Sequence, residues 1–329
     1  MATIKDVAER AGLNVGTVSR IINNRGYISP QTRERVLETM KELNYQPNEV
    51  ARSLSKRRTR TIAMIVPQVS HPYFARLIEC VEQAAADRDY KLVLYNSRLE
   101  RERMSACLEL CRASRVDGAI LLSGEVDSSL FSRLDLPLVS FERWPDERAA
   151  VLRCDNAQGG ALAARCLIAG GCRRLLCFGS TGEVHLPANN RVAGFTQVCA
   201  DGGVAVHTVT TEQSSYLSLD YYDAIRAAFA RYPDADGVFT GSDVIAAQVL
   251  QICAELGRRV PDDVQVVGFD DVLPARLTIP PLTTIRQPIP EMAAAALDLL
   301  EQQIRGEQPP PDTMLPVSLI RRGSTKGEL

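Results

Sequence analysis

Two sets of residues are placed where they can do chemistry. The first is cationic: residues 1–60 hold 12 Lys/Arg against 6 Asp/Glu, while the remaining 269 residues carry net charge −8. A basic head on an acidic body is built to meet a polyanion with one end only. The second is nine cysteines, odd in number and scattered, with only His71, His185 and His207 beside them. No C-x-x-C pair occurs and no histidine is near a cysteine, so neither a zinc site nor any other metal site is expected. Reduced thiols packed as small hydrophobes are the simpler reading. Enzyme signatures are missing as well. No G-x-G-x-x-G follows the first apolar strand, and neither G-x-x-x-x-G-K-[ST] nor G-x-S-x-G occurs. The nearest glycine cluster, Gly179-Ser180-Thr181-Gly182, is too short.

The elements that must position these residues come in two textures. Over residues 3–43 the spacing predicts three short helices. Thr3 and Asp6 form a capping-box pattern, and Ile4, Val7, Ala8 and Ala11 make one apolar face before Gly12. A second helix follows Asn14, with Val18, Ile22 and Ile21 on its inner side. Ser29-Pro30 starts a third, as a cap with proline at the first helical position, and puts Val36, Leu37, Met40 and Leu43 inward. Two helices around a turn and a packing helix make the helix-turn-helix plan. Residues 45–60, YQPNEVARSLSKRRTR, hold a segment too short to be a stable helix alone.

From residue 61 strands and helices alternate. Strands are expected at 61–67, 91–96, 118–122, 136–141, 174–178, 204–209, 237–240 and 265–269. Helices are expected at 74–87, 104–113, 161–169, 190–200, 221–232 and 244–256. Short apolar runs between helices imply parallel sheets. The pattern runs to about residue 155 and restarts, giving two α/β lobes with ligand residues on strand carboxyl ends. At 329 residues, about two domains are expected, with no secretory leader and no apolar run near the roughly 20 residues of a membrane span. A cytoplasmic protein is expected.

Several long stretches in register carry a resemblance. The head reads TIKDVAERAG, TVSRIIN and YQPNEVARSL. The body reads RVAGF (191–195), VPDDVQVVGFDD (260–271) and PPLTTIRQP (280–288). Over nearly its whole length the chain resembles the lactose-repressor (LacI/GalR) family of bacterial transcription regulators. The resemblance implies an all-α helix-turn-helix head over 1–46, a hinge helix and linker over 47–60, and an α/β two-lobe core like periplasmic binding proteins. The N-lobe would be 61–156 plus 288–312, and the C-lobe 157–287 plus 313–329, with three crossovers near Asn156, Gln287 and Asp312. Helix 291–305 would return to the N-lobe and 317–321 to the C-lobe.

The same resemblance implies the site residues. In the head, Val15, Gly16 and Arg20 would face base edges, with Arg20 able to grip guanine O6 and N7. Thr3, Thr17, Ser19, Asn23 and Tyr27 complete the head's DNA-binding set. In the hinge, Asn48, Ala51, Arg52 and Leu54 would reach the minor groove, with Leu54 as the wedge. Gly16 has no side chain to read with, which leaves the operator sequence open. In the core, Arg191 and Asp270 match effector-binding positions, and a guanidinium fork with a carboxylate suits adjacent sugar hydroxyls. Tyr216, Tyr73 and Phe74 are candidate aromatics against the ligand. Ser242 completes the set, with Asp243 as an alternative helix cap, and Arg143 joins it by its place just after a strand. Glu142 and Trp144, flanking Arg143, would face the same cleft, and His71 is either beside the pocket or on a surface loop.

The implied partners are pseudo-palindromic double-stranded operator DNA, a small-molecule effector and a second copy of the chain, with no cofactor and no membrane. The effector would be a sugar, with a purine as the alternative because three aromatics can sandwich a base. A sugar-binding protein without a transcriptional role is the reading from another class. The chain's last residues hold no leucine heptad, so the lactose repressor's tetramer-forming tail is not expected.

Overall fold

The computed structural model describes residues 2–23, 25–46, 58–122, 128–131, 135–142, 149–179 and 189–327. The hinge residues Asn48, Ala51, Arg52 and Leu54 lie outside these, as do Arg143, Trp144 and His185. The chain divides into two compact units, Met1–Thr59 and Arg60–Leu329.

In the first unit, α1 is Ile4–Ala11, α2 Val15–Ile22 and α3 Pro30–Glu42. Thr3 and Asp6 form the capping box, and Gly12 ends α1 at φ 63, a left-handed conformation that suits glycine. Asn14 caps α2 by accepting from the Thr17 N–H at 2.7 Å. Val7, Ala8, Ala11, Val18, Ile21 and Val36 form the core. Two expectations need correcting. Ile21, not Ile22, is the fully buried residue beside Val18, and Leu37 is 48% exposed. Thr39 takes the inward place on α3, because its hydroxyl can donate to the Arg35 carbonyl at 2.8 Å while its methyl packs.

The second unit holds two six-stranded sheets. In chain order its elements are β1 Thr61–Val66, α4 Pro72–Ala86, β2 Lys91–Asn96, α5 Arg101–Ala113, β3 Gly118–Leu121, α6 Ser128–Phe131, β4 Leu138–Phe141 and β5 Ala150–Cys154. There follow α7 Asn156–Ala169, β6 Arg174–Gly179, α8 Asn190–Asp201, β7 Ala205–Thr210, α9 Gln213–Ser218, α10 Tyr222–Arg231, β8 Gly237–Thr240, α11 Asp243–Glu255 and β9 Gln265–Asp270. The last are α12 Leu273–Leu277, β10 Thr283–Arg286, α13 Ile289–Ile304, β11 Asp312–Leu315 and β12 Ser318–Ile320. The N-lobe sheet has order β11-β5-β4-β3-β1-β2 and is parallel throughout. The C-lobe sheet has order β12-β10-β9-β8-β6-β7, parallel except for the β10–β12 pair.

Alternate residues of each strand feed opposite faces. Ile62, Met64 and Val66 of β1 pack with Leu77 and Val81 of α4 and Met292 and Leu300 of α13. Ala63 and Ile65 pack with Met104, Leu108 and Cys111 of α5. All nine cysteines are unbridged thiols, eight of them buried. The third crossing between lobes differs from expectation. Asp312–Leu315 pairs with β5 in the N-lobe, so the chain leaves for the C-lobe at Pro316–Val317 rather than near Asp312. Among the described residues no helix is long and apolar enough to cross a membrane.

Helices α7 and α8 meet backbone to backbone. A Cβ on Gly160 would lie 1.9 Å from the Arg191 carbonyl oxygen, and one on Gly194 would lie 2.1 Å from that of Ala157. Only glycine fits where backbone blocks the space. This close approach puts Arg191, in the first turn of α8, beside Asn156, the first residue of α7. Gly160→Ala should therefore cost about 1–3 kcal/mol or more of stability. Urea unfolding checks this, and an unchanged midpoint would mean the helices do not pack this closely.

Candidate functional site

In each lobe the strand order reverses beside the first strand, between β1 and β3 and between β6 and β8. Crevices open at such points, outside the carboxyl ends of the strands. The candidate effector residues gather there.

Arg191 is at the centre. Its Nε donates to Asn156 Oδ1 at 2.7 Å and one Nη to the Gly241 carbonyl at 2.6 Å, just after β8. Its guanidinium lies over the Phe269 ring, 3.6 Å from the centroid, and 3.9 Å from Asp270 Oδ1. Asp270, at the end of β9, is 3% exposed and accepts from Gln287 Nε2 at 2.7 Å. Burial pushes its carboxyl up to about 7, against the pull of Arg191 and Gln287. Asn156 ties the cluster to the N-lobe, since its Nδ2 donates to Glu142 Oε2 at 2.7 Å. Glu142 also accepts from the Cys154 N–H at 3.0 Å, and burial raises its pKa. Glu142, Asp270 and Asp271 have φ of 67, 112 and 54. Side-chain-bearing residues there cost of order 1–3 kcal/mol each and persist only where the surroundings enforce them. Glu142 and Asp270, both tied to the Arg191–Asn156 cluster, mark a constrained site, whereas Asp271 turns to Arg286 and Arg322.

The aromatics stand over this cluster. Tyr73 and Phe74, in the first turn of α4, meet edge to face at 5.2 Å. Tyr216 of α9 stacks on His71 at 6.0 Å and 26°. His71 is a buried residue, not a surface one. Its Nδ1 caps α4 by accepting from the Tyr73 N–H at 3.2 Å, and burial, helped by Arg191, lowers its pKa to about 4. At neutral pH the ring is uncharged and Nε2 carries the proton. Burial, then Glu142 and Cys154, push the Tyr73 phenol well above its usual range.

Ser242 is spent as the cap of α11, with Oγ accepting from the Ile245 N–H at 3.4 Å. Asp243 is therefore not the cap. It is fully buried in the first turn, accepting from Thr284 Oγ1 at 2.5 Å and the Val272 N–H at 2.8 Å. Arg191, Asp270, Tyr73, Phe74 and Tyr216 are thus brought to one crevice, and Ser242 lies at its edge. Asn156 and Gln287, expected only as lobe crossovers, belong there too, and Gln68 borders it through its bond to the Leu217 carbonyl. Uncharged amides leave no sequence signal until the groups opposite them are known.

In the head, Val15 is 39% exposed, Gly16 and Arg20 are exposed, and Thr17 and Ser19 are half-buried. Tyr27 is 95% exposed. Thr3 is held in its capping box, its hydroxyl 3.0 Å from Asp6 Oδ2. Asn23 folds back, with Nδ2 donating to the Ser19 carbonyl at 2.8 Å.

Comparison with known proteins matches both halves. Residues 3–48 match the bacterial regulatory proteins of the lacI family, and residues 164–325 match the periplasmic binding protein-like domain. The chain is 36% identical over 331 residues to the ribose operon repressor of Halalkalibacterium halodurans, covering 99% of this chain and 98% of that one. It is 32% identical over 322 residues to the sucrose operon repressor of Pediococcus pentosaceus, covering 97% and 98%. A periplasmic binding protein/LacI transcriptional regulator from Alkaliphilus metalliredigens, solved with D-xylulofuranose, matches with a TM-score of 0.74 and 29% identity, covering 82% of this chain and all of that one. A DNA-binding-type head, a two-lobed core and full-length likeness to operon repressors agree, and the chain belongs to the lacI family of bacterial regulatory proteins.

Proposed function

We propose that the chain is an effector-responsive, sequence-specific DNA-binding repressor of sugar-utilisation genes. It works in the cytoplasm as a homodimer, with two heads on a pseudo-palindromic operator, and it is not an enzyme. The effector is a sugar or sugar derivative held between the lobes. The observation that carries this is the Arg191–Asp270 pair, oriented by Asn156, Gly241 and Gln287 below an aromatic cluster. A guanidinium that donates and a carboxylate that accepts can grip neighbouring hydroxyls, while a ring covers the apolar face of the sugar. Ribose and sucrose operon repressors among the relatives support the same class, while an HTH-type transcriptional repressor PurR of Erwinia tasmaniensis, 34% identical over 338 residues, supports the purine alternative. A purine is the second reading, because Tyr73, Phe74 and Tyr216 stand at the same crevice and the relatives also include PurR repressors.

Effector binding regulates DNA only if the ligand has different affinities for two core arrangements. A thermal-shift screen of pentoses, hexoses, disaccharides and nucleobases tests the reading. A ligand at 100 times its Kd stabilises by about 2.7 kcal/mol. Stabilisation by a sugar, together with a change in operator affinity, is the expected result. Stabilisation by nucleobases alone would overturn it.

For the head, exposed Arg20 on α2 is assigned to base reading. Arg20→Ala should cost about 1–3 kcal/mol per half-site and relax the preference at one symmetric base pair. If selection from random duplexes returns unchanged operator sequences with only weaker binding, Arg20 is a phosphate contact instead.

A further inference from the structure

Helix α9 carries Tyr216, yet it has six residues and none is buried. A helix this short does not hold itself in water. Its position must come from bonds to other elements, and these come from both lobes. From the C-lobe, Gln248 of α11 donates from Nε2 to the Leu219 carbonyl at 2.8 Å and accepts from the Tyr221 N–H at 2.8 Å. From the N-lobe, Gln68, two residues past β1, donates from Nε2 to the Leu217 carbonyl at 2.8 Å. The same Nε2 is 3.0 Å from Ser70 Oγ. Gln68 is buried, and its Oε1 has no hydrogen-bond partner. Beside this bond, His71 of the N-lobe stacks on Tyr216.

The two anchors are not equivalent. Gln248 ties α9 to its own lobe at the Leu219 turn, where φ is 57, and that tie is indifferent to lobe movement. The Gln68–Leu217 bond and the His71–Tyr216 stack cross the cleft, so any separation of the lobes breaks both. We propose that Gln68 is the positioning residue that seats α9 on the N-lobe, so that the Tyr216 ring is placed over the effector only when the lobes are together. Gln68 is not thereby a ligand contact. It acts through the backbone of Leu217, next to Tyr216 in the chain. The link to effector binding rests on the reading of Tyr216 given above, whereas the seating of α9 does not.

Hydrogen exchange read by mass spectrometry tests this on the full-length chain without ligand. The probe amides are those of Tyr216 and Asp220, which donate to the Glu212 and Ser215 carbonyls at 3.3 and 3.2 Å. Gln68→Met keeps the length of the side chain and removes the cross-cleft donor together with the unpaired acceptor, so the fold should tolerate it. The expected result is at least about fivefold faster exchange in peptides covering 211–220, with α11, β1 and β8 peptides and Tm unchanged. Unchanged exchange in 211–220 would overturn the proposal. Faster exchange throughout the N-lobe, or a lowered Tm, would assign Gln68 to packing and overturn it equally. Because no effector is added, a sugar screen that finds nothing would count against the effector reading while leaving this result interpretable.

Discussion

Replacing Arg191 with methionine is expected to weaken effector binding at least about thirtyfold while leaving the head's affinity for operator without effector nearly unchanged. The side chain makes two charge-assisted hydrogen bonds within the protein, to Asn156 and Gly241, and lies on Phe269. These bonds leave part of its donor fork for a ligand. A hydrogen bond to a charged group contributes about 1.5–3 kcal/mol. At about 1.4 kcal/mol per factor of ten, about 2.1 kcal/mol, inside that range, gives the thirtyfold figure. Methionine fills a similar volume on Phe269, so the loss falls on polar contacts. The carboxyl of Asp270 then loses the cation 3.9 Å away, which takes its pKa higher still. Asp270→Ala should weaken the same effector at least about tenfold. Calorimetric titration with the sugar that stabilises the wild type most measures both. Wild-type affinity in either variant would remove that residue from the site.

What could be read before the structure follows from how local each signal is. Strand β8 is a four-residue buried run between Asp236 and Gly241, so pattern alone locates it. Strands β1 and β4 were expected one and two residues too long because proline lacks an N–H. Pro67 follows the end of β1, and Pro137 precedes β4 while offering only its carbonyl, to Ala119. Strands β11 and β12 escaped because nothing local makes them strands. The one reads DTML and the other SLI, both part-exposed, and they form only where β5 and β10 offer free edges. Strand β5 is not legible for a related reason, since Arg153 interrupts its apolar run and pairs with Asp312 of β11 at 2.6 Å. The site divides in the same way. Arg191 and Asp270 stand in long motifs and are legible. Asn156 becomes a site residue only because Gly160 and Gly194 let α7 and α8 touch, and Gln287 only because β10 ends beside Asp270.

Between pH 5 and 8 the Asp270→Asn variant should gain stability relative to wild type, by about 2–3 kcal/mol. An aspartate in the unfolded chain gives up its proton near 3.8, whereas burial holds that of Asp270 up to about 7 in the fold. Between these values the folded state carries a proton that the unfolded state does not. Stability contributed by this group therefore falls as pH rises through that window and levels off above it. Two pH units at about 1.4 kcal/mol each set the size. Asparagine keeps an oxygen for Gln287 Nε2 and has no proton to lose, so its profile lacks this slope. Asp243 works in the same direction, being raised by its own burial and by the neighbouring Asp270. His71 works the other way. Its pKa is lowered from 6.5 to about 4, so stability from that ring rises with pH across the interval between them. The raw pH profile of the wild type mixes these slopes; the difference between variant and wild type removes that of His71 and reports Asp270 together with the part of the Asp243 shift that Asp270 causes. Urea unfolding of both chains at pH 5, 6, 7 and 8 gives that difference directly. If it does not change with pH, Asp270 is already ionised at pH 5, and Arg191 with Gln287 outweighs the cost of burying its charge.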